Sequence, residues 1–421
     1  MTTSHTSKQN KRTKDEALVK QIYEFYRDHS KECDEEYALA MDSNISRIYV
    51  PLKENVEKEL VKVSIVIITA NKFEKNILHQ CVYQKNNTAI KELTITLFEK
   101  PETHNTTSAY LFELEGYNVM HIACQVTGSY TLGGCADAVR YCINSPYVFP
   151  TAFISFGICF GCHEDKEHLC DTIMSRKIYP YFVGAKIDGK QLKTKDDYRL
   201  EMSSEMQKKI DAFKDKNMFL ADALGFNVEY ENYITGEAVV SSREARNLFL
   251  GITTQNIYAG DMEAYGLFKE CQNAYRDIPC TVIKSICDWA ILKNVYNPEL
   301  YSIIMGPKAN GEDAKLIKNK LQALAAFHSF QVLDILLKGI PNADGDIDKP
   351  FENSIYQRIR DQVAGEKHEN TWAKDRLKKR AIKMNKELKN TIANDFVKVL
   401  CENIAQELSL DNKEQQLTRK P

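Results

Sequence analysis

Gly260-Asp261-Met262-Glu263-Ala264 follows a strand-like run over Asn256–Ala259, and Cys287-Asp288-Trp289-Ala290 closes the apolar run Cys280–Ile286. Gly251–Ala259 reads as a strand and its approach, Met262–Tyr275 as a helix with Leu267, Phe268 and Cys271 on one face, and Thr281–Ile286 as a buried strand. The pattern predicts a βαβ unit. Two carboxylates, Glu263 and Asp288, then stand where successive strands stop, and in open parallel sheets the ligand crevice lies beyond the carboxyl ends of the strands. The two are expected to project into one cleft although 25 positions apart in the chain. Burying a carboxylate pair opposes folding, so its presence at a strand-end rim points to function.

Around this unit, from about Lys62 to Leu337, strand-like runs at Val63–Thr69, Leu93–Leu97, Val119–Cys124 and Ala152–Phe156 alternate with helical ones without a linker. A single α/β domain is predicted within the 421 residues. Lys plus Arg number 56 against 58 Asp plus Glu, so no global charge points to nucleic acid or to a polyanionic surface. The chain holds no run of 18 or more apolar residues, and its polar first forty residues have no signal-peptide core, which predicts a cytoplasmic protein without a membrane partner. Its 12 cysteines read as reduced, mostly buried thiols, because closely spaced loops of paired Cys are absent.

The expected organisation is a helical extension over residues 1–60, a catalytic domain over 61–340 and a second helical extension over 341–421. Met1–Lys14 is polar and expected to be disordered. Asp15–Arg27 spaces Leu18, Ile22, Phe25 and Tyr26 as a helix does, and Glu35–Met41 reads as a second short one; this segment is a small helical cap or an oligomer contact, or else merely packs on the core. Asp313–Lys338 is a strongly amphipathic helix stopped by Gly339. Asp344, Gly345, Asp346 and Asp348 imitate the start of a calcium loop, but Lys349 and Ile355 stand where the glycine and the bidentate glutamate belong, so a solvated turn is predicted. In the tail, Met384, Leu388, Ile392, Phe396 and Leu400 form an apolar stripe on a charge-dense helix, which reads either as the one packing face of a solvated helix or, the preferred use of the stripe, as an oligomer contact.

Three further loops fall at strand ends. Val63–Thr69 leads to Ala70-Asn71-Lys72-Phe73-Glu74, Ala152–Phe156 to a predicted turn Gly157-Ile158-Cys159-Phe160-Gly161, and Val119–Cys124 to Gln125-Val126-Thr127-Gly128-Ser129. The rim thus carries Glu74, Glu263 and Asp288 together with glycines that let backbone approach a ligand. Taken singly, Glu263 also reads as a first-turn carboxylate facing the helix dipole and Asp288 as a cap, but capping does not explain both at one rim.

These residues resemble the nucleoside phosphorylase superfamily, nearest its hydrolytic branch, the methylthioadenosine/S-adenosylhomocysteine nucleosidases. The resemblance covers about Lys62–Leu337 and rests on Met262-Glu263-Ala264, on Ile286-Cys287-Asp288 where that family has Ile-Ser-Asp, on the Ala70-x3-Glu74 spacing and on the Gly157-x3-Gly161 turn. It implies a three-layer αβα fold with a central mixed sheet, no metal or other cofactor, and a cleft completed across a subunit boundary, hence a homo-oligomer. It further implies Asp288 as the acid that protonates the purine at N7, Glu263 as acceptor of the ribose hydroxyls with Met262 beneath the ring, and Glu74 as the group that activates water. Gly157 and the segment Gly236–Val240, with Val239, would contact the nucleoside. Trp289 and the long closing helix are similar to effector domains of bacterial immune systems that deplete adenine nucleotides, with the helical extensions as the place for a regulatory partner.

Departures sharpen the expectation. Gln125–Tyr130 has no arginine where the phosphorylases hold inorganic phosphate, which favours water as nucleophile and leaves phosphorolysis the second hypothesis. Ile158 stands where a small polar residue is common. Asn71 stands in the region of the apolar 5′ pocket, and Arg176, Lys177, Arg243 and Arg246 are candidates for holding a 5′-phosphate there. A non-catalytic nucleotide sensor of the same fold is the hypothesis from another class. Cys159-Phe160-Gly161-Cys162-His163 spells a haem c attachment pattern, with His168 and Cys170 close enough to suggest zinc, but haem c needs export and the cysteines already have a packing role in the glycine turn.

Overall fold

The structure is a computed structural model that describes residues 17–100, 103–145, 147–181, 186–188, 191–193, 199–216, 224–237, 240, 243–251, 256–274, 278–290, 311–341, 347–348 and 351. The polar start Met1–Lys14, the candidate Val239, the calcium-like run Asp344–Asp346 and the tail stripe Met384–Leu400 lie outside the described residues.

Runs of β-branched residues make the strands, and their pairing is mixed. Eleven strands are hydrogen-bonded into one sheet: β1 (Tyr49–Pro51), β2 (Ile65–Thr69), β3 (Ile90–Lys100), β4 (Thr103–Leu114), β5 (Tyr117–Ala123), β6 (Ala152–Gly161), β7 (Thr172–Pro180), β8 (Leu200–Glu201), β9 (Val228–Thr235), β10 (Ala259–Asp261) and β11 (Cys280–Asp288). β2 lies parallel between β5 and β6, with Ile65 opposite Val119 on one side and Ala152 on the other. Every residue of β2 is buried, as expected of a strand covered on both faces.

Beyond β6 the sheet closes on itself. β6 pairs parallel with β11, β11 antiparallel with β7, β7 parallel with β9, β9 parallel with β10, and β10 antiparallel with the far end of β6. These five strands form a ring attached to the open half of the sheet. The predicted βαβ unit is therefore corrected: β10 and β11 run in opposite directions relative to β6, the strand they share. The Gly157–Gly161 turn is corrected too, because β6 continues through it to Gly161. Gly157, at φ +139°, lets the strand bend without ending.

Helices cover the sheet in two groups. α1 (17–28), α2 (Ser30–Ala40), α4 (Lys72–Asn86) and α9 (Gly311–Lys338) belong to one, and α5 (Cys135–Asn144) and α8 (Ala264–Asn273) pack on each other. Three more α-helices, α3 (Val56–Val61), α6 (Ser204–Lys216) and α7 (Arg243–Leu250), and a short 3-10 helix, Ile45–Ile48, are also described. The molecule is thus a layered α/β fold around a central mixed sheet. The N-terminal helices pack on the core: Leu18, Val19, Ile22 and Tyr23 join the same hydrophobic cluster as the residues of β2, β6 and α9. α9 ends at Gly339, whose φ of +78° suits a helix C-terminus. All eleven described cysteines are buried thiols without disulfides. No described helix is long and apolar enough to cross a membrane.

Candidate active site

The chemistry concentrates on one buried lysine. Lys284 lies mid-way along β11 and is 1% exposed. Its Nζ is 2.8 Å from Glu263 Oε2 and 2.7 Å from Asp261 Oδ2, both carboxylates also buried. Asp261 ends β10 and Glu263 precedes α8, so the ion cluster joins two strands that flank β6 from opposite edges. Removing three charges from water is tolerable only when they neutralise one another and are hydrogen-bonded.

Each carboxylate has a distinct local job. Asp261 Oδ1 accepts from Ala264 N at 3.0 Å and from Thr235 Oγ1 at 3.1 Å, so Asp261 rather than Glu263 caps α8. Glu263 makes no capping bond; its Oε1 accepts from Gly128 N at 3.3 Å, and Ser129 Oγ donates to the Met262 carbonyl at 2.8 Å, which ties the loop after β5 to the site. Burial pushes the Glu263 carboxyl up to about 7, against the pull of Lys284 and with the help of Asp261 and Glu74, whereas the same carboxylates hold Lys284 protonated well above its usual range.

Glu74 is the second buried glutamate of this cluster, 1% exposed at the start of α4. Its Oε2 accepts from Ala70 N at 2.6 Å and Asn71 N at 3.0 Å, and its Oε1 from Ile158 N at 2.9 Å. Asn71 Oδ1 in return accepts from Phe73 N and Glu74 N, completing a capping box. Asn71 is therefore engaged in holding Glu74. The close approach at Gly157 also belongs to Glu74: a Cβ there would collide with the Glu74 carboxyl. Burial raises the Glu74 carboxyl, while Lys284 and the three backbone donors oppose the shift.

Asp288 keeps separate company. The β6–β11 register shifts between Ile286 and Asp288, which sets Asp288 opposite Phe160, whereas Lys284 lies opposite Gly157. Asp288 Oδ1 accepts from Ala290 N at 2.8 Å, and burial raises its carboxyl against the pull of that bond and of Lys318. The structure thus brings Glu74 and Glu263 together around Lys284 and gives Asp288 its own pocket of partners further along the same strand. Met262 is half-buried beside Glu263.

The basic candidates lie elsewhere. Arg243 pairs with Glu164 Oε1, and Arg246 with Glu164 Oε2 at 2.8 Å. Lys177 pairs with Glu201 at 3.3 Å and Arg176 is exposed. Among the described residues no group of three or more His, Cys, Asp or Glu is arranged to hold a metal ion. Sequence reasoning missed Lys284 and Asp261. The signal for Lys284 was there: it is the one charged residue inside the apolar run Cys280–Ile286, and a lysine buried in a strand needs carboxylate partners.

No known sequence family and no curated protein matches the chain. Solved structures similar to it include the 5'-methylthioadenosine/S-adenosylhomocysteine nucleosidase of Neisseria meningitidis in complex with methylthio-immucillin-A, at 16% identity and a TM-score of 0.44, covering 65% of this chain and 98% of that one. The Streptococcus pneumoniae MTA/SAH nucleosidase in complex with 8-aminoadenine is similar at 16% identity and a TM-score of 0.45, covering 66% and 100%. The futalosine hydrolase of Helicobacter pylori is similar at 13% identity and a TM-score of 0.45, covering 65% and 97%.

Proposed function

We propose that this protein hydrolyses the N-glycosidic bond of a purine nucleoside or nucleotide and releases the free base. The observation that carries the reading is the pair of buried glutamates, Glu74 and Glu263, gathered around Lys284 where β2, β6 and β10 meet. Glycoside cleavage needs one carboxyl group to supply a proton and another to handle water or the cationic sugar.

In the proposed reaction Asp288, whose carboxyl burial raises, protonates the base as the C–N bond breaks. Glu263 accepts hydrogen bonds from the ribose hydroxyls and its negative charge stabilises the oxocarbenium-like sugar, with Met262 packed beneath it. Glu74 Oε1, which retains a lone pair beyond its bond to Ile158 N, orients the water and takes its proton as oxygen bonds to the sugar carbon. Lys284 keeps Glu263 ionised once the site is occupied. Four residues of strand, about 13 Å, separate Lys284 from Asp288, a span that the base and sugar of one nucleoside would bridge. The segment through Val239 is proposed to meet the base, and the capping box of Asn71 and the bend at Gly157 to set the Glu74 carboxyl. Adenine as the base, use as a nucleotide-depleting antiviral effector, assembly as a homo-oligomer and restraint through the helical ends are proposed on the motif resemblance.

The test is chromatography after incubation with a panel of nucleosides and nucleotides in phosphate-free buffer. Free base plus free sugar is expected. A phosphate requirement with a sugar 1-phosphate product would mean phosphorolysis, and binding without base release would mean a sensor.

A further inference from the structure

Three chain segments meet at the Glu263 end of the carboxylate site: the end of β9 with Thr235, Gly236 and Glu237, the turn Asp261-Met262-Glu263, and the loop after β5 from Gly128 to Thr131. Hydrogen bonds join them pairwise into a triangle. β9 holds the turn through Thr235 Oγ1, which donates to Asp261 Oδ1 at 3.1 Å, and through Gly236 N, which donates to the Asp261 carbonyl at 3.3 Å. The loop holds the turn through Gly128 N on Glu263 Oε1 and Ser129 Oγ on the Met262 carbonyl. One side chain makes the third side. Glu237 Oε1 accepts from Tyr130 N at 2.6 Å, and its Oε2 accepts from Thr131 Oγ1 at 3.1 Å.

Glu237 is the exposed corner of this triangle, whereas Ser129, Thr235, Asp261 and Glu263 are buried. It stands in the segment expected to meet the base, yet its carboxylate is given to the loop. Hydrogen bonds to an ionised acceptor are roughly twice as strong as neutral ones. The seat for the carboxylate is set by the backbone: Gly128 has φ +130°, and a Cβ there would lie 2.6 Å from Thr131 Oγ1 and 2.9 Å from Glu237 Oε2. The residue whose amide reaches Glu263 is thus the one against which Glu237 packs.

Other anchors of the loop act elsewhere. Tyr130 Oη donates to Glu270 Oε1 at 2.9 Å and fixes the ring, and Cys135 N donates to the Gly128 carbonyl at 3.1 Å and fixes the peptide that follows Gly128. The Gly128 N–H belongs to the preceding peptide, which rotation about a glycine φ can turn away. A carboxylate packed on the glycine and bonded to the next two residues restrains that rotation.

We propose that Glu237 is a positioning residue: it clamps the loop after β5 so that the Gly128 N–H stays on Glu263 Oε1, the carboxylate assigned to the ribose hydroxyls. The catalytic consequence rests on the nucleosidase reading; the clamp itself does not. Full-length protein labelled with 15N-glycine and 13C-carbonyl threonine singles out the amides of Gly128 and Gly236, each of which follows a threonine. The Gly128 amide shift is expected to titrate with Glu263, which lies in the field of Lys284, Asp261 and Glu74, through a midpoint at about 7, and to lose that titration in Glu263→Gln. Glu237→Ala should reduce the amplitude by about half or more, because the N–H no longer stays on the carboxylate. Glu237→Gln keeps one acceptor and should fall between parent and alanine, which preserves the test if the alanine variant fails to fold. Tyr130→Phe loses only Oη and should titrate as the parent does. In an active parent, Glu237→Ala should also lower kcat/KM for base release by about ten-fold or more. A parent that cleaves nothing in the nucleoside panel ends the nucleosidase reading, and the amide titration still decides the clamp. An amide that does not titrate in the parent, titrates equally in the Glu237 variants, persists in titrating in Glu263→Gln or is silenced as fully in Tyr130→Phe would overturn the proposal, as would parent-level turnover in Glu237→Ala.

Discussion

Lys284 Nζ lies 2.8 Å from Glu263 Oε2, both groups buried, and Asp261 closes the cluster from β10 at 2.7 Å. Removing the cation leaves two buried carboxylates with only neutral donors, Ala264 N and Thr235 Oγ1 on Asp261 and Gly128 N on Glu263, and a third carboxylate, Glu74, in the same field. Lys284→Met is expected to destabilise the fold by about 3–5 kcal/mol, the usual penalty for breaking a buried ion pair from one side. Adding Glu263→Gln should recover part of that loss, because the partner left behind is then neutral. Denaturant unfolding of the two single variants and the double measures it, and strict additivity would count against a coupled cluster.

The pH dependence of the proposed reaction follows from the same cluster. Glu263 is pushed up to about 7 and must be ionised to serve the sugar cation, so kcat/KM should climb with pH through a midpoint at about 7 and level off above it. The limb belongs to the Glu263–Asp261–Lys284 group as a unit. Glu263→Gln should lower kcat/KM by a hundred-fold or more and flatten that limb. A profile with its rising limb intact in the variant assigns the titration to another group.

Asp288 has partners of its own, so its proposed role separates cleanly from folding. Asp288→Asn keeps the size of the side chain and the bond from Ala290 N, and should leave the melting temperature within a few degrees of the parent. Base release should fall by at least a hundred-fold, in line with loss of a general acid. Parent-level turnover in this variant would remove the acid from Asp288.

Gly157 is fixed by sterics at two levels. Its φ of +139° lies where side chains are rarely found, and a Cβ would run into the Glu74 carboxyl. Gly157→Ala is expected to cost about 3 kcal/mol, combining backbone strain with overpacking. Thermal unfolding checks the magnitude.

A buried chain of hydrogen bonds sets the acid limit of the fold. Tyr49 Oη meets His79 Nδ1 at 2.9 Å, His79 Nε2 meets His121 Nδ1 at 2.8 Å, and His121 Nε2 meets Thr69 Oγ1 at 2.9 Å. Burial lowers both imidazoles, His121 to about 3, so they stay neutral in the fold while the unfolded chain takes up protons below about 6.5. The unfolded state then binds more protons, and stability is lost as pH falls from 6.5 towards 3, by up to about 2.7 kcal/mol per pH unit for the two rings. Unfolding free energies measured across that range should show the slope, and His121→Gln should reduce it by about half.

Much of the site was legible locally. The capping box is written in Asn71 and Glu74, the bend in Gly157, and the helix end in Gly339, because each depends on neighbours within a few positions. Val239 and the tail stripe lie beyond what the structure describes, and Arg243 pairs with Glu164 and not with the buried carboxylates. The direction of β10 was not legible: a strand of three residues carries no periodicity that tells parallel from antiparallel pairing, so the expected βαβ unit became two sides of a ring.

By itself the sequence determined the alternation of strands and helices, the strand-end positions of Glu74 and Glu263, and a lysine among apolar residues that had to find negative charge. Only the tertiary structure decided that this charge comes from β10 as well as from the helix start, that Gly157 serves Glu74, and that Asp288 turns to its own partners. The physical reason is range: side-chain periodicity and capping are set within a turn or a pleat, whereas the meeting of Lys284 with Asp261 and Glu263 depends on which edges of β6 are taken by β10 and β11, a choice made by the packing of the whole sheet.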